Sequence, residues 1–99
     1  MFYESQSKPE TDPLLLWLNG GPGASSVYGA MKENGPLHVD EDLQLSLNPH
    51  SWNLQANVLY LESPVAVGFS YSTDENDYVG QNDNQTAEDN YAFLLSWFD

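Results

Sequence analysis

The segment richest in potential chemistry is Trp17-Leu18-Asn19-Gly20-Gly21-Pro22-Gly23-Ala24-Ser25-Ser26. Three glycines directly after an apolar run let the backbone approach a ligand closely, with amide hydrogens free to donate. Preorganised backbone N–H groups of this kind stabilise a developing oxyanion better than a ground-state carbonyl. The tetrapeptide from Asn19 to Pro22 is also ordinary turn punctuation, and the residues by themselves leave both readings open. A serine nucleophile needs a base and an orienting acid, and on an α/β scaffold it sits in a Gly-x-Ser-x-Gly elbow. The nearest approach is Gly68-Phe69-Ser70-Tyr71-Ser72, which ends in serine where the elbow needs glycine. His38 and His50, twelve residues apart among scattered acids, form neither a catalytic pair nor a metal site. The absence of cysteine removes disulfides, thiolate metal sites and a cysteine nucleophile.

These residues depend on the elements around them. Leu14 to Leu18 is an unbroken apolar run between Pro13 and Asn19-Gly20-Gly21, and reads as a strand buried on both faces. Val58-Leu59-Tyr60-Leu61, between Asn57 and Glu62-Ser63-Pro64, reads the same way. Two such strands about 40 residues apart indicate a parallel sheet in an α/β fold. Ligands on open α/β sheets bind outside the carboxyl ends of the strands, which is where the glycines stand. Ser25 to Lys32 predicts a short helix, stopped by Asn34-Gly35-Pro36. Leu43, Leu45 and Leu47 alternate with polar residues, the period of a half-buried strand. The polar stretch from Ser5 to Pro13 reads as a turn, and the acidic stretch from Thr73 to Asn84 as an exposed loop. Ala87, Tyr91, Leu94, Leu95 and Phe98 share one face of a helix, with Thr86 and Asp89 as its capping box.

Ninety-nine residues suffice for one small domain. Hydrophobic residues make up 40% and charged ones 17%, which excludes a typical disordered composition. Fifteen acids against two lysines give a formal net charge of −13. Neither Lys8 nor Lys32 belongs to a basic patch, so nucleic acid and anionic membrane are poor partners. No apolar run has the length of a membrane span. The start, Met1-Phe2-Tyr3-Glu4-Ser5, lacks the basic end and apolar stretch of a signal peptide, so none is expected.

Three blocks identify a family by resemblance: Trp17 to Gly23, Asn48-Pro49-His50-Ser51-Trp52-Asn53, and Asn57 to Ser72 with its Gly68-Phe69-Ser70-Tyr71-Ser72 ending. In this order and spacing the chain resembles the N-terminal part of the serine carboxypeptidases, nearest their cathepsin A-like branch, over nearly its whole length. The resemblance implies residues 1–99 of an α/β-hydrolase domain, with a mostly parallel central sheet and flanking helices. It implies a hydrolase that releases C-terminal residues from peptides through a Ser-Asp-His triad, without a metal or cofactor. By the same resemblance Gly21 donates its backbone N–H to the oxyanion hole. Trp17, Asn19, Gly20 and Glu33 serve the substrate's terminal carboxylate, and Tyr28 lies near the cleft. The family's nucleophile belongs to a Gly-Glu-Ser-Tyr-Ala-Gly segment on a further strand, so this chain is expected to lack it and to be inactive alone.

The implied partners are peptide or protein C-termini and the remainder of the carboxypeptidase domain, in a lysosomal, vacuolar or secreted setting. Asn84-Gln85-Thr86 is an N-glycosylation sequon that suits such a setting. Ala24 stands where the family usually carries a disulfide-bonded cysteine. The alternatives are a catalytically inactive binder of peptide C-termini and a merely structural fragment.

Overall fold

The computed structural model describes all of residues 1–99. Its elements run β1 (Phe2–Tyr3), β2 (Leu14–Trp17), α1 (Ser26–Gly29) continued by a π-helical turn (Ala30–Asn34), β3 (Leu37–Val39), β4 (Leu45–Leu47), a 3₁₀ turn (Trp52–Leu54), β5 (Asn57–Tyr60), a second 3₁₀ turn (Glu75–Tyr78) and α2 (Asp83–Phe98). The main sheet has the order β1-β5-β2, and all four residues of β5 are buried. The two apolar runs pair in parallel as expected, Leu15 opposite Val58 and Trp17 opposite Tyr60. β1 joins the other edge antiparallel, Phe2 opposite Leu59, so the sheet is mixed. β3 and β4 form a separate antiparallel hairpin.

Val58, Tyr60 and Ala30 make the core, with Tyr3 and Trp17 packed on them. Tyr3 meets Tyr60 edge-on at 6.0 Å, a geometry in which ring edge faces ring π-cloud. The buried Tyr60 hydroxyl donates to Asn34 Oδ1 at 3.0 Å, fixing the π turn to the sheet. Burial, with a smaller contribution from Tyr3, pushes its pKa up to about 12. Asn57 Oδ1 accepts from the Ser5 amide at 3.0 Å, and Asn57 Nδ2 donates to the Pro9 carbonyl at 2.9 Å. One buried amide therefore shapes the turn that brings β1 and β2 to opposite sides of β5.

Several sequence expectations change. β2 is not buried on both faces; Leu14, Leu15 and Leu16 are each more than a third exposed, because β2 is an edge strand here with no neighbour beyond it. Leu43 lies outside the β3–β4 pairing, at φ 59°, and Leu45 and Leu47 are exposed rather than half-buried. The loop expected from Thr73 to Asn84 contains the second 3₁₀ turn and ends as α2 begins at Asp83. Asn82, not Thr86, caps α2, its side chain accepting from the Gln85 amide. The half-buried face of α2 carries Thr86, Asn90, Phe93 and Leu94, and Trp97 meets Phe2 at a tilt of 59° with centroids 5.4 Å apart. Of the face expected from periodicity only Leu94 is on it; Tyr91, Leu95 and Phe98 are exposed.

Candidate active site

β2 ends at Trp17, and the chain turns at its carboxyl end through the glycine segment. Gly21 has φ 147° and Gly23 φ 104°, conformations that side-chain-bearing residues rarely adopt. The arch from Gly20 to Ala24 is held through its two feet. At the first, Asn19 donates its amide to the buried Ser26 Oγ at 3.0 Å. Its side-chain Oδ1 accepts from Trp17 Nε1 at 2.5 Å, and Trp17 is itself set edge-on against Trp52 at 5.1 Å. At the second foot, Ser25 caps α1, its Oγ accepting from the Tyr28 amide at 3.3 Å and donating to Glu62 Oε1.

Two residues not singled out in the sequence complete this arrangement. Gly29 lies against the Trp17–Asn19 pair; a Cβ there would stand 2.2 Å from Asn19 Oδ1 and 2.8 Å from Trp17 Nε1. Its φ is an ordinary −57°, so glycine is needed for space rather than conformation. Only the sequence neighbourhood Tyr28-Gly29-Ala30, a glycine inside a helix, could have hinted at close packing. Glu62 follows β5 and is 8% exposed. Its carboxylate accepts from the Ser25 hydroxyl and the backbone amide of Phe69. Burial pushes this carboxyl up, but those hydrogen bonds together with the Met1 ammonium hold it below its ordinary 4.5.

The structure brings Trp17, Asn19, Gly20 and Gly21 together at one end of the sheet. A groove of about 340 Å³ opens there, with Gly20 and Gly21 on one wall and Asp83, Thr86 and Asn90 on the other. A larger hollow of about 390 Å³ between the second 3₁₀ turn and α2 lies away from the glycines. Tyr28 is 58% exposed on α1. Glu33 is exposed on the π turn, its carbonyl accepting from His38 Nε2 at 3.3 Å; no hydrogen bond joins its carboxylate to Asn19. Asn84 is exposed in the first turn of α2. No group of three or more acidic, histidine or cysteine side chains is arranged to hold a metal. No helix is long and apolar enough to cross a membrane.

The serine hydroxyls are engaged elsewhere. Ser63 donates to Asn90 Oδ1 at 2.6 Å, Ser70 to the Glu62 carbonyl at 2.5 Å, and Ser72 to Asp77 at 2.5 Å. None has a histidine partner. What this end of the sheet offers is the backbone of the Gly20–Gly21 arch and an Asn19 side chain oriented by Trp17.

All of residues 1–99 match the serine carboxypeptidase family. The chain belongs to that family. It is 54% identical over 100 residues to serine carboxypeptidase-like 31 of Arabidopsis thaliana, covering 99% of this chain and 20% of that protein. It is 53% identical over 97 residues to serine carboxypeptidase S10 family member 1 of Dictyostelium discoideum, covering 98% of this chain and 23% of that protein. Among solved structures, Kex1(delta)p, a prohormone-processing carboxypeptidase from Saccharomyces cerevisiae, superposes with a TM-score of 0.81 at 30% identity, covering 98% of this chain and 22% of that one. This serine carboxypeptidase segment therefore spans about one-fifth of the length of these curated relatives. Its α/β arrangement agrees with that of its structural neighbour.

Proposed function

We propose that this segment supplies the oxyanion donor and the C-terminal carboxylate grip of a serine-type carboxypeptidase, while the nucleophile and base come from outside residues 1–99. The observation that carries this reading is the glycine arch at the carboxyl end of β2, with Gly21 at φ 147° and Asn19 held by both Trp17 and Ser26. Gly21 gives its N–H to the tetrahedral intermediate. Asn19 and Gly20 hold the terminal carboxylate of the substrate, with Trp17 fixing the Asn19 amide and Glu33 approaching from the π turn. Tyr28 borders the cleft. The substrates are peptides with a free C-terminus, and the chemistry requires no cofactor.

The remainder of the domain would pair with the open edge of β2, extending the mixed sheet into a mostly parallel one. It would also cover Leu14 to Leu16 and the outer face of α2, where Tyr91, Leu95 and Phe98 are exposed. A lysosomal, vacuolar or secreted setting suits the exposed Asn84 sequon. A catalytically inactive binder of peptide C-termini is favoured by one observation, the engagement of the serine hydroxyls without a histidine.

The two readings separate in a longer protein carrying this segment, assayed for release of the C-terminal residue from a blocked dipeptide. As an enzyme it turns over. Gly21→Ala then lowers kcat, by up to the roughly 100- to 1,000-fold seen when one oxyanion donor is removed. Asn19→Ala raises KM for the free acid more than for the C-terminal amide. Binding without turnover in the unaltered protein would leave only the inactive-binder reading.

A further inference from the structure

Two separate segments converge on the carboxylate of Glu62. Ser25, the second foot of the glycine arch, gives it a hydroxyl donor. Phe69 gives it a backbone amide from the turn that follows β5. That turn is built for the contact. Gly68 has φ 55°, and a Cβ on it would stand 2.0–2.1 Å from the Glu62 carboxyl atoms. The Ser70 hydroxyl closes the same turn on the Glu62 carbonyl at 2.5 Å. A carboxylate this buried requires several donors, because leaving it unpaired costs far more than leaving a neutral group unpaired. The other foot of the arch is held by neutral groups only, the Ser26 hydroxyl and the Trp17 indole N–H. The charged anchor is thus on the Ser25 side, where the arch meets α1.

We propose that Glu62 is a positioning residue for the oxyanion hole: by holding Ser25 and the start of α1, its carboxylate sets the height and direction of the Gly21 amide. Glu62 touches no reacting atom. The inference rests on the reading of Gly21 as the oxyanion donor. Its physical basis is that a donor stabilises the transition state only where it meets the oxyanion, so displacement of the arch lowers kcat and leaves ground-state binding in place. Replacement by glutamine keeps the shape but leaves one carbonyl oxygen for two donors, and turns an NH₂ toward one of them.

The test uses a longer, active protein carrying this segment, with each variant titrated by a fluorophosphonate so that rates refer to competent sites. Three quantities are compared: kcat and KM for a blocked dipeptide, the Ki of a peptide aldehyde, and the Ki of a free-acid product peptide. The aldehyde forms a hemiacetal whose oxygen occupies the oxyanion position; the product reports ground-state binding. For Glu62→Gln, kcat and aldehyde affinity should both fall by about 10- to 100-fold, part of the full effect of losing a donor. KM and product Ki should stay within about twofold. Ser25→Ala, which removes the same link from the other end and leaves the Glu62 carboxylate with the Phe69 amide, should show the same split to a smaller degree.

Gly21→Ala separates the two layers of argument. If it weakens the aldehyde while Glu62→Gln and Ser25→Ala leave kcat per site unchanged, or weaken product binding in parallel, the role of Glu62 is overturned and that of Gly21 stands. If Gly21→Ala leaves aldehyde affinity untouched, the oxyanion reading fails and the inference falls with it. Should Glu62→Gln fail to fold, wild-type kcat and aldehyde affinity in Ser25→Ala are sufficient to overturn it.

Discussion

Replacing Gly29 with alanine sets two known effects against each other. Gly29 has helical backbone angles, so alanine alone would stabilise the segment by about 1 kcal/mol through helix propensity. The added Cβ, however, would lie 2.2 Å from Asn19 Oδ1, where ordinary contact begins at 3.4 Å. Asn19 must retreat by about 1.2 Å, or α1 must move by as much. Overpacking of this kind costs about 1–3 kcal/mol, so the net loss of stability is about 0–2 kcal/mol and the protein stays folded. Function responds more strongly, since a misplacement of about 1 Å in a substrate-positioning group costs on the order of 100-fold. In a longer, active protein carrying this segment, Gly29→Ala should reduce kcat/KM for free-acid peptides about 100-fold. C-terminally amidated peptides should lose less if, as proposed, Asn19 grips the substrate carboxylate. The check is steady-state kinetics on both substrates, with a thermal melt of each protein. A folded variant whose kcat/KM for the free acid is within twofold of wild type would refute the reasoning.

Three other perturbations have defined outcomes. Tyr60→Phe removes the buried donor to Asn34 and should destabilise by about 1–3 kcal/mol, read as a lower denaturant midpoint at an unchanged slope. The Glu62 carboxyl is depressed in the fold, so its contribution is fully present above its ordinary 4.5 and is lost as pH falls through the lowered folded value. Acid melts should therefore show Glu62→Gln less stable than wild type near neutrality, with the gap narrowing below that value; a gap constant with pH would contradict the assignment. A fluorophosphonate should label none of Ser25, Ser26, Ser63, Ser70 or Ser72 in residues 1–99, as judged by intact mass, because none has a histidine base.

The parallel pair and the glycine arch were legible because apolar runs closed by proline and glycine are strong local signals. β1 was not, since two residues carry no period and become a strand only by pairing with Leu59 and Val58. α2 was found but turned on its axis. Its apolar residues Tyr91, Phe93, Leu94, Leu95, Trp97 and Phe98 wrap most of the helix, so periodicity could not choose among its faces. In the site, the glycine cluster stood out locally, while the roles expected of Asn19 and Gly21 came from the family resemblance. Gly29 and Glu62 did not stand out, because the need for each is steric or electrostatic and arises from partners 10 and 37 residues away in sequence.

The order β1-β5-β2 has a consequence for how the chain is made. The central strand is the last of the three to be synthesised: Phe2 and Leu14 must await Leu59 and Asn57. At about 5–20 residues per second, the interval between Trp17 and Tyr60 leaving the ribosome is roughly 2–9 s. Throughout that interval β2 lacks its β5 partner, and a hairpin between β1 and β2 cannot substitute, since they are not neighbours in the sheet. A nascent chain arrested before residue 57 therefore presents five consecutive apolar residues to whatever hydrophobic-segment chaperone attends the exit tunnel. Release of that chaperone should coincide with the emergence of β5.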